Sequence, residues 1–103
     1  MPTRSGRLEK RTRLTVPVEI FNPQDPAETE RTTTENASAL GIRVLTQRAR
    51  APNERLTIRS LEGELRAFVR VVYCQPLPDG RYGVGLQFQG QRVNWSKGLL
   101  GGA

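Results

Sequence analysis

Two short polar clusters hold the residues best suited to recognition chemistry. The first is Arg7-Leu8-Glu9-Lys10-Arg11, an Arg-x-x-x-Arg. In an extended chain the two arginine stems share one side, roughly 13 Å apart at about 3.3 Å per residue. A turn there would bring both guanidinium groups onto one ligand, and a doubly charged anion would receive forked, charge-assisted hydrogen bonds. The second cluster is Asn36-Ala37-Ser38-Ala39-Leu40-Gly41, an Asn-x-Ser-x-x-Gly. The Asn amide offers a donor and an acceptor to a base edge, and the Ser hydroxyl can bond a phosphate or order the turn. Gly41 lets the backbone bend or approach a ligand closely. Each cluster also has a plain structural reading: a solvated basic tail for the first and an Asx turn between strands for the second.

Catalytic chemistry finds little support. The 103 residues contain no histidine and one cysteine, Cys74. Ser38 and Cys74 therefore lack the usual base of a nucleophilic triad. Neither an intrachain disulfide nor a Cys/His metal cluster can form, and a reducing cytoplasm is the expected setting. Asp25, Glu28, Glu30 and Glu35 lie among polar residues and read as solvated surface. Gly83-Val84-Gly85 falls inside a strand rather than before a helix, so it is not a dinucleotide fingerprint. Those glycines read as sites of barrel curvature or close backbone approach. The chain is expected not to be an enzyme and to need no cofactor.

Charge points to an anionic partner. Sixteen Lys and Arg stand against 10 Asp and Glu, a net charge of +6, and the isoelectric point is about 10.7. Only Lys10 and Lys97 are lysines; the other cations are arginines. The guanidinium fork matches phosphates and guanine edges, and its plane stacks on bases. A GC-rich genome would also raise arginine usage. No apolar run approaches the roughly 20 residues that cross a bilayer as a helix. Met1–Lys10 lacks the apolar stretch of a secretory signal, so no membrane insertion is expected.

The elements that must position these clusters are strands. Leu14, Val16, Val18 and Ile20 alternate with Arg13, Thr15, Pro17 and Glu19, a period-two strand with one buried face. Pro17, on the outward phase, argues for an edge or a bulge. Phe21–Ala27, with Pro23, Asp25 and Pro26, reads as a loop. Thr29–Thr34 reads as a second strand and Glu35–Ser38 as a turn. Ile42, Val44 and Thr46 mark a third strand, and Ala49–Glu54 a loop. Arg55–Leu61 alternates again before the Glu62-Gly63 turn. Glu64–Cys74 is a long strand with Leu65, Ala67, Val69, Val71 and Tyr73 on one face. Pro78-Asp79-Gly80 is a hairpin turn. Arg81–Gln89 places Tyr82, Val84, Leu86 and Phe88 on one phase.

About six short strands joined by turn chemistry predict an all-β fold, a closed or nearly closed antiparallel barrel. The expected layout is a flexible basic arm over 1–12, the barrel over 13–92, and a tail or short helix over 93–103. Trp95, Leu99 and Leu100 are candidates to cap the barrel.

Taken in this order and at this interval, the two clusters resemble the PilZ domain, the bacterial receptor module for cyclic di-GMP. Leu14–Ile20 after the arginines, Gly41–Val44 after the second cluster and Arg81–Phe88 near the end are similar to strand texts of that family. The likeness runs from about Arg7 to Phe88. It implies a six-stranded antiparallel split barrel whose arm folds over the ligand. Arg7 and Arg11 would grip guanine edges and phosphates. Asn36 and Ser38 would contact a guanine and phosphate from the barrel, and Gly41 would keep the turn close. Gly6, ahead of the first arginine, leans towards one bound ligand rather than a stacked pair, and Arg4 and Arg13 would add charge. Such a stand-alone module would act on a downstream protein through an altered surface. Two alternatives remain at this point. One is a degenerate module of the same fold that works by protein contacts alone. The other is a small basic barrel binding single-stranded nucleic acid, which calls for exposed aromatics. Only Phe68 is out of phase on a strong strand, which argues against specific nucleic-acid recognition.

Overall fold

Alternation along the chain becomes the inside and outside of a ring of strands. The computed structural model describes residues 12–93 and Trp95. Its strands are β1 (Thr12–Arg13), β2 (Pro17–Asn22), β3 (Asp25–Ala37), β4 (Gly41–Thr46), β5 (Arg55–Ser60), β6 (Arg66–Pro76) and β7 (Tyr82–Phe88). No helix occurs among the described residues, and none is long and apolar enough to cross a membrane. All pairings are antiparallel. The order β3-β2-β5-β6-β7-β4 closes through a β3–β4 pairing into a six-stranded barrel, and β1 adds a short seventh strand to β3.

The inward phase fills the ring. Val18, Ile20, Ile42, Val44, Ile58, Val69, Val71 and Val84 are completely buried, with Val16, Leu56, Leu65, Leu86 and Phe88 packed among them. Burying each such side chain is worth about 1.5–3 kcal/mol, which makes this lining the main source of stability. Turns fall where Gly or Asn supplies a left-handed residue: Gly63 (φ 88°) between β5 and β6, Gly80 (φ 89°) between β6 and β7, and Asn53 (φ 72°) before β5.

Four details depart from the sequence reading. The first strand is broken, because the chain between β1 and β2 is held by a side chain. The Thr34 hydroxyl accepts the Val16 N–H (2.9 Å) and donates to the Leu14 carbonyl. Pro17 opens β2, where its missing N–H removes no bond the ladder needs. The expected loop at Phe21–Ala27 is instead a two-residue turn. Asn22 Oδ1 accepts the Gln24 N–H (2.8 Å) and Asn22 pairs with Asp25. Consequently β3 runs for 13 residues and takes in both Pro26 and all but Ser38 of the expected turn at Glu35–Ser38. Before Thr34 it has β2 on one side and, among the described residues, no strand on the other, so a proline is tolerated there. Lastly, β6 carries a bulge between Val71 and Tyr73. The extra residue flips the phase, so Tyr73 lies outside and Cys74 packs against the core. At the C-terminal end Val93 is buried and Trp95 packs on the core. Leu99, Leu100 and the rest of the expected tail or short helix lie outside the described residues, as does the expected basic arm apart from Thr12, which stands in β1.

Glu19 links three strands on the outer surface. It faces Arg31 of β3 and Arg59 of β5 across the ladders and accepts a bond from each, at 3.1 Å and 2.5 Å. The hydrogen bond from Arg59, then that from Arg31, holds the Glu19 carboxyl below its ordinary value, against the opposing effect of burial. A lowered folded-state pKa gives stability that is present above the unfolded value and lost as pH falls through the folded one. Wild-type protein should therefore lose melting temperature more steeply below about pH 4.3, the ordinary Glu value, than Glu19→Gln. Parallel acid limbs in thermal melts of the two proteins would remove the arginine pair from this role.

Candidate functional site

The strand-to-strand turn at Ser38–Gly41 is built by its own side chain. The Ser38 hydroxyl accepts the N–H groups of Leu40 and Gly41, both at 3.2 Å, and the Ser38 N–H donates to the Gly41 carbonyl at 2.8 Å. Ser38 is 2% exposed, so in this conformation its hydroxyl shapes the turn. Gly41 opens β4 against β7, and a Cβ there would run into the Leu86 carbonyl oxygen. The turn is also clamped from the C-terminal end. Trp95 Nε1 donates to the Ser38 carbonyl (2.6 Å), Val93 N–H donates to the Ala39 carbonyl (2.9 Å), and the Trp95 ring lies 6.0 Å from that of Phe88.

Asn36 belongs to a row that crosses five strands. Arg13 of β1 is opposite it on one side and Arg43 of β4 on the other. Arg43 is opposite Gly85, and Gly85 is opposite Tyr73. Residues opposite one another across a ladder share a face, so the row reads Arg13, Asn36, Arg43, Gly85, Tyr73. Because Gly85 has no side chain, the Tyr73 ring lies across it. The Tyr73 hydroxyl accepts a bond from Arg43 Nη1 at 3.1 Å. Arg43 lies over Gly83 in the same way and donates from Nε to Glu35 at 2.6 Å. The tyrosine hydroxyl, then the Glu35 carboxylate, raises Arg43 above its ordinary value, which keeps it a permanent cation. The glycines of β7 thus give the close approach expected of them.

Two concavities flank the row. One, of about 350 Å³, is lined by Thr12, Arg13, Glu35 and Asn36. The other, of about 190 Å³, includes Gly41, Val72, Tyr73, Gly85 and Gln87. Asn36 Oδ1 is buried without a hydrogen-bond partner among the described residues. Of the residues singled out from sequence, the structure gathers Asn36, Ser38 and Gly41 at one turn; Arg7 and Arg11 lie outside the described residues. Sequence reasoning missed Arg43, Tyr73 and Glu35. The outward phase of Arg43, two residues after Gly41, was a usable signal; the placement of Tyr73 depends on the β6 bulge and carried none.

Fold and turn together define a small closed β-barrel with a polar row beside the point where β1 joins the ring. The chain belongs to the PilZ domain family, whose sequence model matches residues 5–97. PilZ domains are receptor and adaptor modules. Among solved structures the chain is similar to the inhibitor of motility (MotI/DgrA) of Bacillus subtilis, with a TM-score of 0.68 and 23% identity. That match covers 97% of this chain and 53% of the other, so the chain spans about half the length of that protein. No curated protein matches the chain.

Proposed function

We propose that this chain is a cyclic di-GMP receptor that orders its N-terminal arm on binding and signals through protein contacts. The observation that carries this reading is the meeting of arm and turn. Thr12 pairs with Ala37 and Arg13 with Asn36. Arg11 is one peptide bond before Thr12, about 3.8 Å between Cα atoms, and Arg7 is within about 13 Å further along the chain. Both arginines can therefore reach the concavity that Asn36 lines.

Cyclic di-GMP brings two phosphates and two guanines. The unpartnered Asn36 Oδ1 suits a guanine N–H donor. Arg7 and Arg11 supply forked bonds to phosphates and guanine edges. Arg13 and Arg43 flank the amide with fixed positive charge, and the Glu35 carboxylate is already bound by Arg43. Ser38 and Gly41 hold the turn that presents Asn36. None of this requires a bond to be made or broken, and the role is that of a receptor rather than an enzyme. Calorimetric titration tests it: cyclic di-GMP should bind saturably and GTP should not. Absence of binding, or equal binding of GTP, discards the reading.

A further inference from the structure

On the wall of the barrel opposite the Asn36 turn, one aromatic side chain stands among arginines. In the ring order, β5 and β6 are the pair farthest from β3 and β4. Across their ladder Arg55 is opposite Arg70, Phe68 is opposite the buried Thr57, and Arg59 is opposite Arg66. Phe68 is 66% exposed. Two like-charged cross-strand pairs and an exposed phenylalanine all work against the stability of a free barrel. Arg59 has the Glu19 carboxylate, and among the described residues Arg70 has the neutral acceptors Asn53 Oδ1 (2.9 Å) and Gln87 Oε1 (2.6 Å). Arg55 and Arg66 have no carboxylate partner among the described residues. Beside Phe68 lies a cleft of about 260 Å³ lined by Pro23, Arg55, Leu56, Phe68, Val69 and Gln89.

We infer that this face docks an acidic segment of a partner protein, with one apolar side chain seated in the cleft against Phe68 and carboxylates on the surrounding arginines. Charge complementarity selects the occupant, and aromatic and arginine side chains are the usual anchors of such interfaces. The size fits a short segment: Arg55 to Arg59 spans roughly 13 Å along a strand and the two strands are about 4.8 Å apart. Both strands have neighbours on each side, so the partner is held by side chains and not by strand addition. A single-stranded nucleic acid would call for successive aromatic platforms, whereas among the described residues Phe68 is the one strongly exposed ring on this face. The assignment uses none of Asn36, Ser38 and Gly41 and does not rest on the proposed nucleotide binding.

Fluorescence anisotropy with a labelled peptide of Glu and Asp around a single Leu is the test, alongside the same peptide with Ser for Leu and an oligo-dT strand. The Leu peptide should bind saturably and weaken with salt. Phe68→Ala and the Ser peptide should each lower affinity about tenfold or more. Arg55→Glu should lower it as well while keeping or raising the melting temperature, since it turns a like-charged pair with Arg70 into an opposite one. Cyclic di-GMP titration of Phe68→Ala should match wild type. No saturable peptide binding, binding indifferent to Phe68 and Arg55, or tighter Phe68-dependent binding of oligo-dT would each overturn the inference.

Discussion

Arg11→Ala is expected to weaken cyclic di-GMP binding by on the order of a hundredfold while the barrel stays folded. A hydrogen bond to a charged group is worth about 1.5–3 kcal/mol, and a forked pair on one phosphate or guanine edge approaches the upper end and beyond. Each 1.4 kcal/mol or so is tenfold in affinity. Arg7→Ala should act in the same direction. Asn36→Ala should have a smaller effect, since it removes a neutral acceptor. The barrel should be indifferent to both arginine changes, because its core is assembled from Val16 onward. Calorimetry read beside thermal melts separates the outcomes. Near wild-type affinity would take the arginine out of the site, and a lowered melting temperature would give it a structural role instead.

The second large effect is expected at Gly41. A methyl group there meets the Leu86 carbonyl oxygen, which is main chain fixed between β4 and β6. It cannot rotate away, so Gly41→Ala must spread the β4–β7 ladder. Forcing atoms into a packed site costs about 1–3 kcal/mol, and the upper figure corresponds to a fall in melting temperature on the order of 15 °C for a domain this size. Gly83 makes the contrast. There the added methyl meets the guanidinium end of Arg43, a side chain that can swing aside. Gly83→Ala should leave the melting temperature nearly unchanged and disturb only the Arg43 position. Equal losses at the two glycines would show that backbone rigidity is not what separates them.

Much of this molecule was legible in its residues, for physical reasons. The apolar phase of β2, β4, β5 and β7 is strict, so the inner face followed directly. The Asn36–Gly41 spacing named a turn that the structure builds from Ser38. Phe68 stood out of phase in the text of β6 and stands exposed in the fold. What the sequence hid was set by long-range register or by side chains acting as backbone. Pro23, Asp25 and Pro26 have loop chemistry, yet Asn22 closes the chain within two residues. The Thr34 hydroxyl replaces ladder bonds near Leu14–Val16, and no local pattern announces it. The row through Asn36 depends on pairing residues far apart in the chain, and on a bulge that turns Tyr73 outward. The Arg-x-x-x-Arg cluster was readable as chemistry, and its place in the site stands as a proposal.

The ring closure has a consequence for crowded conditions. Amyloid-like stacking begins where a sheet offers a fringe of unmet amide groups. Among the described residues the longest such fringe is the stretch of β3 before Thr34, and it is poorly suited to recruiting another copy. Pro26 has no N–H to give. Glu28 and Glu30 are tied to Arg48 and Arg50, and the Thr32 hydroxyl donates to the Leu45 carbonyl. Barrels pressed together along this stretch would touch as beads do rather than zip into a shared sheet.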